Sequence, residues 1–495
     1  MTIGVRQVIV TVLCALLAVA GAAGVAAQGE ATPAASDCAA TEPSGLIVYQ
    51  AWNEADASLT GEVVVADPAG EELHRVSVPG LTRVWSTPMP GRALVTDEQD
   101  RLHLLDAEAG TVTALALPEG GGNVLPTGGP AFSHGQGTRY VLLSNARQDQ
   151  AALVDLETGT ATDLVALTGE EFVVFGMISA DDSHAAVTFG DSAYLIPTAN
   201  PASFRKLGGD LRGGNAVLSP DSESVVHYQQ AGEDRFELVV EDLDGSNSQV
   251  VVTHDTPPAG QFAGSSERLL VRTIDELLVI DLTTGDERQL LDEYVMPWII
   301  APDGDRVLVA SGEEVLSETD LDGAWVWIDI DTGEMTVIEE LDNHRPVRQG
   351  GDLRWIVLVG HAFYSGQGGE EDLIYGVDLM TGDVQELFAA PPDESYAPPS
   401  IAVPDGRYAL LLYVGLDDDS RLYLLDAAAG TARVVAEGVG VRGGAISPDG
   451  CWITVETTTE SGEGRTSSIA IQPIAGGEAR TVTNSGFQAV WLALS

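Results

Sequence analysis

The sequence predicts an all-β protein, a β-propeller built from about ten four-stranded, blade-like repeats. Three observations lead to this prediction. A hairpin motif with Asp at its turn recurs along the chain, a Ser-Pro-Asp-Gly turn precedes many of its copies, and a spare strand remains at the C-terminus. Apolar residues make up 44% of the 495 residues and charged residues 20%, so the chain can bury a large core.

The hairpin repeat is a β-like run that ends in Asp, a tight turn closed by Gly, and a second β-like run. LHLLDAEAGTVTALAL around Asp106 and LLVIDLTTGDERQLL around Asp281 are clear copies. Asp bonds the backbone that follows it, and the late Gly takes the left-handed conformation that reverses the chain. Each Asp is therefore interpreted as a turn former and not as a metal ligand. The ten equivalent positions are Asp67, Asp106, Asp155, Ile196, Asp242, Asp281, Asp329, Asp378, Asp426 and Gln472.

A second turn motif precedes the hairpin in several repeats. In the Ser-Pro-Asp-Gly sequence, Pro fixes the backbone of the first central residue of a type I turn, Asp caps the turn, and Gly is the residue at which the chain exits the turn. Each repeat therefore holds four antiparallel strands joined by this turn, a loop and the Asp-Gly turn, which is the make-up of a propeller blade. The copies are LSPDSESVVHY from Leu218, IAPDGDRVLVA from Ile300, AVPDGRYALLLY from Ala402 and ISPDGCWITVE from Ile446, with the variant ISADDSHAAVTF from Ile178.

SPDG turns followed by D-x-x-T-G hairpins resemble the WD40-like propeller repeats of the TolB type, which also occur in the propeller domains of prolyl-oligopeptidase-like proteins. The resemblance runs from about Gly45 to Ser495. It implies the propeller fold and says little about function. The Gly-His and Trp-Asp signature of true WD40 repeats is missing.

The number of repeats leaves the ring size open. The ten positions are spaced by about 45 residues on average, which matches one blade per repeat. Because single propellers usually have about 4–8 blades, ten repeats allow one wide ring, two tandem propellers, or a ring in which some units are not blades. The first repeat starts at Gly45 without an innermost strand, and the chain ends in the spare strand GFQAVWLALS from Gly486. We expect this strand to complete the first blade and remove exposed sheet edges.

The N-terminus is interpreted as a cleaved signal peptide over residues 1–27. Arg6 supplies the positive region, Val8–Ala26 is apolar, and small residues lead to a cleavage site between Ala27 and Gln28. The alternative is an uncleaved anchor, since about 19 apolar residues could just span a bilayer, but the Ala and Gly content and the cleavage site favour a signal peptide. No later segment is apolar for long enough to span, so we expect an exported protein, extracellular, on the cell surface or periplasmic.

Residues 28–44 are rich in Ala, Pro, Ser and Thr and are interpreted as a flexible leader, with the propeller occupying residues 45–495. Two cysteines, Cys38 and Cys451, remain after cleavage. Export places them where a disulfide can persist, although spacing alone does not decide between a bridge and two thiols. A bridge would tie the leader to the last repeat, at the seam that the C-terminal strand closes.

The charge balance excludes some partners. The chain has 75 acidic residues against 24 basic ones, for a net charge of −51, and Lys206 is its only lysine. Such a field repels the phosphate backbone, so nucleic acid is excluded as a partner, and anionic lipid is disfavoured for the same reason.

Motifs for catalysis and cofactor binding are missing. The sequence contains no G-x-S-x-G, and Gly190–Tyr194 fails that pattern at its last position. H-E-x-x-H, C-x-x-C, P-loop and G-x-G-x-x-G units that open a helix are likewise missing. The prediction is therefore no catalytic, cofactor-binding or metal-binding residue, and no cofactor.

Isolated residues with metal-binding or ligand-binding chemistry are scattered. The acidic stretches 417–419, 370–372 and the segment from Ser311 lack the order of a calcium loop, so calcium is a weak candidate and solvated insertions between second and third strands are favoured. The tryptophans mostly fall on strands, where packing between blades is their default use. Four histidines fall on predicted strands and four in predicted turns: His74, His103, His227 and His361, and then His134, His184, His254 and His344.

The leading functional hypothesis is an exported, non-catalytic binding or scaffold module, similar to the TolB-type propellers, that presents loops to a protein or glycan partner. The alternative is an enzyme, a hydrolase or lyase, with its site at the mouth of the channel, because propellers carry many unrelated chemistries. An extracellular sensor of a small ligand or of calcium is a third, weaker hypothesis.

The signal-peptide interpretation predicts the mature N-terminus. Expressed with its own leader in an exporting host, the protein should be recovered from the exported fraction with Gln28 as its first residue, because the small residues before Gln28 suit signal peptidase. Intact-mass and N-terminal peptide analysis measure this. A membrane-bound chain that retains residues 1–27 would instead support the anchor.

Overall fold

A computed structural model describes residues 38, 42–53, 58–99, 101–116, 138–144, 150–170, 173–189, 192–208, 216–293, 295–311, 324–341, 344–346, 353–360, 372–390, 396–401, 406–414, 419–461 and 464–494. These residues form ten antiparallel sheets with almost no helix. The prediction of an all-β propeller with ten blades is thereby confirmed. The proposed signal peptide, its cleavage site and most of the leader lie outside the described residues.

The strands follow the order of the repeats. Blade 1 holds β1 (Leu46–Asn53), β2 (Ser58–Ala66), β3 (Glu72–Ser77) and the last strand of the chain, β39 (Gly486–Leu492). Blades 2 to 5 are β4 (Arg83–Ser86), β5 (Arg92–Thr96), β6 (Leu102–Asp106) and β7 (Thr111–Ala114); β8 (Tyr140–Ser144), β9 (Ala151–Asp155) and β10 (Thr160–Asp163); β11 (Val173–Ile178), β12 (His184–Phe189), β13 (Ser192–Pro197) and β14 (Arg205–Leu207); and β15 (Val217–Leu218), β16 (Ser224–Gly232), β17 (Arg235–Asp242) and β18 (Ser248–His254).

Blades 6 to 10 repeat the arrangement. They are β19 (Ala259–Phe262), β20 (Arg268–Arg272), β21 (Leu277–Asp281) and β22 (Glu287–Leu291); β23 (Val295–Ile300), β24 (Arg306–Ser311), β25 (Ala324–Asp329) and β26 (Met335–Ile338); β27 (His344–Pro346), β28 (Trp355–Gly360), β29 (Asp372–Asp378) and β30 (Val384–Ala390); β31 (Tyr396–Ile401), β32 (Tyr408–Val414), β33 (Asp419–Asp426) and β34 (Thr431–Val439); and β35 (Val441–Gly443), β36 (Trp452–Ser461), β37 (Gly464–Pro473) and β38 (Arg480–Thr483).

Among the described residues from 42 onward, helix is confined to three short segments. The α-helix α1 (Leu164–Thr168) follows β10, with the Asp163 side chain capping its first amides, and 3₁₀ turns occupy Pro201–Ser203 and Glu339–Leu341. Blade 3 has three described strands, and the segment that precedes them, residues 117–137, lies outside the described residues.

The burial of each strand explains how apolar its residues are. Second and third strands are covered on both faces by neighbouring blades, so they are almost continuously apolar, as in β28, all of whose residues are buried. Fourth strands form the rim and are largely exposed, as β3 and β7 are. The first strand of each blade therefore borders the central channel.

The core consists of apolar layers between consecutive blades, and these layers decide the ring size. One cluster joins blades 4, 5 and 6, and the other clusters each join two neighbouring blades. The last of them packs Trp452 and Ile469 of blade 10 against Ile47 and Trp491 of blade 1. The ten blades therefore form one closed ring and not two propellers.

The C-terminal strand closes this ring from the inside. β39 pairs antiparallel with β1, with Leu46 opposite Leu492 and Val48 opposite Val490. The Trp491 indole Nε1 donates to the Ser44 carbonyl at 2.8 Å. Blade 1 is thus composed of both ends of the chain, and β39 supplies the innermost strand that makes it a four-stranded blade like its neighbours.

Turns of one kind gather on one face of the ring, called the turn face, which carries the connections between strands 1 and 2 and between strands 3 and 4. In blade 3, Asp155 accepts the amides of Glu157 and Thr158, and the Gly159 amide returns to the Asp155 carbonyl. In blades 4 and 10 the turn is one residue shorter, closing from Pro197 to Asn200 and from Pro473 to Gly476. The assignment of Ile196 and Gln472 to the Asp position is therefore wrong by one residue. The other face, called the loop face, carries the remaining connections.

Neighbouring turns also touch each other around the turn face. The Asp181 amide donates to Ser222 Oγ of the next blade, and the Asp221 amide donates to Ser266 Oγ in the blade after that. Gly264 and Gly304 pack backbone on backbone, and a Cβ on Gly264 would lie 2.5 Å from the Gly304 Cα. Neither position has room for a side chain.

Cys38 and Cys451 form a disulfide in the structure, with the two Cα atoms 5.1 Å apart. Both residues are buried in the cluster between blades 10 and 1. The Ser44 hydroxyl also bonds Asp449 in the same turn of blade 10 at 3.3 Å. The segment before β1 is thus attached to the last blade at the position where the ring closes.

Replacing both cysteines by serine, Cys38→Ser with Cys451→Ser, should lower the free energy of unfolding by about 2–4 kcal/mol, because the cross-link restricts the unfolded chain. Denaturant titration of the oxidised protein with and without reductant measures the difference. The double variant is the control and should not respond to reductant. Two reactive thiols in unfolded, unreduced mature protein would contradict the bridge.

Candidate functional site: the seam and the channel wall

Arginines on the turn face join neighbouring blades. Arg92 donates to the Leu156 carbonyl of the next blade at 3.2 Å, and Arg306 donates to the Thr381 carbonyl at 2.8 Å. Arg205, Arg288 and Arg433 make the same kind of bond to carbonyls in the following blade. A guanidinium has five donors in a plane, so it can satisfy several turn carbonyls at once, which a lysine cannot.

Three blades place an arginine between the turn Asp and an aromatic ring. In blade 3, Arg139 pairs with Asp155 at 2.7 Å and lies over the Tyr140 ring at 5.2 Å. Burial raises the pKa of Asp155, but the hydrogen bonds from Arg139 and the turn amides outweigh it, so the pKa lies below its ordinary value. These groups therefore stabilise the turns. The other two sets are Arg354, Asp378 and Trp355, and Arg407, Asp426 and Tyr408.

A buried histidine cluster lies between blades 4 and 5. His227 is 2% exposed, and its Nε2 lies 3.5 Å from Glu241 Oε1, which also accepts from Arg205 at 2.6 Å. Burial raises the pKa of Glu241, but the neighbouring His227 and the hydrogen bond from Arg205 bring it below its ordinary value. Because Arg205 belongs to blade 4 and the other two residues to blade 5, the cluster holds the two blades together.

A second cluster organises the loop between β5 and β6. Asp97 is 1% exposed and accepts the amides of Gln99 and Arg101, the Arg101 guanidinium at 2.7 Å, and His103 Nε2 at 3.2 Å. The pKa of Asp97 lies below its ordinary value because these hydrogen bonds outweigh the effect of burial. All four donors come from the loop itself or from β6, so the carboxylate shapes the loop.

One position on each second strand lies at the same height around the ring. In each blade, one residue of the second strand pairs with the turn Asp, or its equivalent, at the end of the third strand. The residue four positions after it is the one meant, and these ten residues together are called the ring layer. Polar side chains occupy this layer from blade 10 through blade 4 and in blade 6. Blade 5 has Tyr228, whose ring packs in the apolar core, and apolar side chains occupy the layer in blades 7 to 9. In order from blade 1 its members are Gln50, Thr96, Ser144, Thr188, Tyr228, Arg272, Ala310, Val359, Leu412 and Glu456.

Hydrogen bonds that involve the closing strand β39 connect the ring-layer residues of blades 10, 1 and 2. The region around these residues is called the seam. A β-bulge interrupts the pairing of β39 with β1, and Gln488 in the bulge has a left-handed φ of 51°. The Glu456 carboxylate accepts the backbone amide of Ala489. From the other side, Gln50 Nε2 donates to Gln488 Oε1 at 2.7 Å and to the Thr82 carbonyl at 2.9 Å. The strained backbone is therefore held by side chains of two blades.

Glu456 is the most enclosed carboxylate of this network, 8% exposed as a residue. Burial raises the pKa of its carboxyl above the ordinary value, although the bulge amides and the charge of Arg442 act in the opposite direction. The seam thus contains one acidic group whose environment favours the neutral form.

The channel wall differs in charge from the rest of the protein. The innermost strands of blade 1 and of blades 2 and 4 to 10 contain neither Asp nor Glu. On the two strands that flank β39, Arg83 and Arg442 are exposed. The Arg83 guanidinium lies 5.3 Å from the centre of the Trp85 ring. The wall that the structure describes is therefore neutral to basic in a chain of net charge −51.

Several residues considered from the sequence lie elsewhere. His74, His103 and His227 are on strands, as expected, whereas His184, His254 and His344 begin or end strands and are not turn residues. His134, His361 and most of the acidic stretches proposed for calcium lie outside the described residues. Within the part of the chain that the structure describes, no three His, Cys, Asp or Glu side chains form a group suited to a metal ion. No helix among those residues is long and apolar enough to cross a membrane.

Sequence reasoning did not find the seam network. Gln50, Gln488 and Glu456 belong to no motif, and they meet because the C-terminal strand lies between the first and last repeats. The available signal was the alignment of the repeats, in which Glu456 and Gln50 occupy a position that is apolar in blades 7 to 9.

The fold and the seam define a single-chain, ten-bladed β-propeller closed by its C-terminal strand. No protein-family model matches the chain, and no curated protein sequence matches it. Similarity to solved structures extends over much of the chain. A eukaryotic initiation factor is 15% identical, with 92% of this chain and 100% of that chain covered and a TM-score of 0.43.

Two further solved structures are similar at the same level. An oligogalacturonate lyase in complex with manganese is 14% identical over 80% of this chain and 97% of that chain, with a TM-score of 0.37. TolB from Acinetobacter baumannii is 13% identical over 64% of this chain and 82% of its own, with a TM-score of 0.25. Identities and TM-scores this low transfer no activity to this chain.

Two isosteric substitutions should respond to pH with opposite signs. The pKa of Glu456 is raised in the folded protein, so protonated Glu456 contributes its whole stabilisation at pH values below the unfolded pKa. This stabilisation is lost as the pH rises through the folded pKa. Glu456→Gln should therefore gain stability relative to the parent as pH rises above about 4.5, the ordinary value. Denaturant unfolding at a series of pH values measures this difference.

Glu241→Gln is the matched comparison. The lowered pKa of Glu241 contributes stability above the unfolded pKa that is lost as pH falls through the folded pKa. This variant should therefore be less stable than the parent at neutral pH, and the deficit should shrink in acid. Parallel pH profiles for the two variants would contradict the assignment of the two environments.

Proposed function

We propose that the mature chain is an exported, non-catalytic binding or scaffold module for a protein or glycan partner. One observation carries the proposal: the clusters with acid-base chemistry bond across blades or within turns. Arg205, His227 and Glu241 join blades 4 and 5, and the arginines paired with turn carboxylates stabilise the turn face. Groups that are engaged in holding a ring together support a scaffold better than a reaction centre.

The loop face is the surface we assign to the partner. On the turn face, adjacent turns bond each other from blade to blade, so their polar groups are engaged. On the loop face, the connection between β20 and β21 presents Ile274, which is 52% exposed, next to Asp275, whose side chain is 77% exposed. An apolar side chain at an exposed loop tip supports a contact role.

Charge and location support the same proposal. A net charge of −51 disfavours nucleic acid and anionic membranes, which leaves proteins and glycans as the larger partners. The signal-peptide pattern of residues 1–27 supports export.

The proposal predicts binding without turnover. Mature protein should be retarded in affinity gels by at least one soluble polysaccharide, or cross-link saturably to an exported protein, with no new reducing ends or unsaturated products. Ile274→Ser should weaken this binding, because the loop tip loses its apolar contact. Met380→Ser, which removes a 37% exposed side chain from the turn face, is the control and should not.

Product formation from a bound polysaccharide or peptide would contradict the module and favour a hydrolase or lyase. Equal effects of Ile274→Ser and Met380→Ser would contradict the choice of the loop face. Calcium and a chelator belong in parallel assays, since a calcium requirement would revive the weak calcium hypothesis.

A further inference from the structure

The outermost strand of blade 5 lacks the usual protection of an exposed sheet edge. β18 (Ser248–His254) is the last strand of its sheet, and no described strand pairs with its outer side. Proteins commonly protect such edges with charged residues, Pro or short strands, whereas the seven residues SQVVVTH include no Asp, Glu, Lys, Arg or Pro. Among the described outermost strands, β7 and β26 also lack charged residues, but each has four residues. β18 is therefore the longest uncharged edge on the described rim.

The strand is fixed to the ring although its outer side is exposed. β18 pairs antiparallel with β17 from Ser248 to His254. Val251 and Val252 pack against the core cluster that joins blades 4, 5 and 6, whereas Val250 is 47% exposed. A strand that is already ordered can accept an additional strand along its outer backbone groups at a lower cost in entropy.

The loop-face end of β18 contacts the loop that we assign to the partner. His254 Nδ1 lies 3.1 Å from the Asp255 carboxylate, and its Nε2 lies 3.9 Å from the Asp275 carboxylate in the connection between β20 and β21. Ile274, the exposed apolar residue of that connection, is the neighbour of Asp275 in sequence. The outer edge of β18 and this loop therefore adjoin, and residues 248–255 together with Asp275 are called the blade-5 edge.

Acidic side chains surround this end of the strand. The side chains of Asp255 and Asp275 are 78% and 77% exposed. Glu233 and Asp234 are exposed on the hairpin between β16 and β17, and Arg235 next to them pairs with a carboxylate of its own strand. The uncharged edge thus ends in a local excess of negative charge, which favours a basic group on a partner that lies along the strand.

A second copy of this chain is a poor partner for the blade-5 edge. Each copy carries a net charge of −51, so pairing two copies brings two acidic rims together. A β-bulge also interrupts the pairing of β18 with β17 between Leu238 and Val239. A bulge increases the local twist and opposes edge-to-edge pairing of two sheets. Both features favour a flexible, basic segment, which can follow the twist.

We propose that the blade-5 edge binds an extended segment of a partner protein, which adds to β18 as a further strand. Main-chain hydrogen bonds hold the segment, its apolar residues contact Val250, and a basic residue lies beside Asp255 and Asp275. The inference rests on the proposed binding function and deepens it, because it specifies a protein segment and not a glycan as the partner.

Fluorescence anisotropy with the labelled synthetic peptide Lys-Thr-Val-Thr-Val-Thr-Lys tests the blade-5 edge in the mature protein. The wild-type protein should bind this peptide saturably, and the affinity should fall as salt rises. Binding should slow hydrogen exchange at amides of Ser248–His254 and leave exchange in β26 unchanged. The same peptide with its central amides N-methylated keeps its side chains and charges but cannot donate backbone hydrogen bonds, so it should not bind.

Val250→Lys should weaken peptide binding by about tenfold or more, because it removes an apolar contact and adds a charge that repels the basic peptide. Val337→Lys is the matched control, since it makes the same change at a valine of β26 that is 57% exposed, and it should bind as wild type does. Thermal unfolding of both variants shows whether they are folded. Equal weakening by the two variants, or unchanged exchange in β18 on binding, would overturn the blade-5 edge.

The blade-5 edge and the proposed function fail in different ways. If the folded wild-type protein does not bind the peptide while binding of a polysaccharide or exported protein still depends on Ile274, the blade-5 edge is wrong and the binding module stands. Tight binding of the N-methylated peptide would also overturn strand addition. Cleavage of a bound polysaccharide or peptide would contradict the non-catalytic module itself.

Discussion

The pairing of β39 with β1 is the constraint on which the rest of the ring depends. Blade 1 has no inner strand until the last strand of the chain lies against its first, and only then does the apolar layer between blades 10 and 1 form. Two further links, the disulfide and the bond from Trp491 to Ser44, lie at the same place. Every other interface joins blades that follow each other in sequence, so the seam is the contact of longest sequence separation.

Acidic and basic side chains occupy different parts of this protein. Carboxylates dominate the chain, arginines bond turns of one blade to those of the next, and the described channel wall has no carboxylate. The turn-face contacts explain why arginine is used almost to the exclusion of lysine, because the bonds to turn carbonyls need several donors in one plane. Composition alone showed that lysine is nearly missing and did not suggest this structural reason.

Local patterns predicted the blades well, because turn chemistry and alternation act over a few residues. The Asp turns, the SPDG turns that lie within the described residues, and the spare strand from Gly486 fall where the repeats placed them. The two degenerate turns were misplaced by one residue, since Pro197 and Pro473 close a shorter turn that Asp spacing did not reveal. Whether the ten repeats form one ring or two tandem propellers depends on which blades share an apolar layer. The repeat pattern of the sequence is the same for both arrangements, so it did not decide between them.

The candidate site could not be predicted in the same way, because its residues are brought together by closure. Glu456, Gln488 and Gln50 are far apart in sequence and become neighbours only when β39 separates blade 10 from blade 2. The ring layer then differs between blades: it is polar from blade 10 through blade 4 and in blade 6, and it is Ala310, Val359 and Leu412 in blades 7 to 9. Identical folding rules would have allowed an apolar residue at every one of these positions. Polar residues at six of the ten positions, including all three blades of the seam next to the strained bulge, are therefore a feature that the fold does not require.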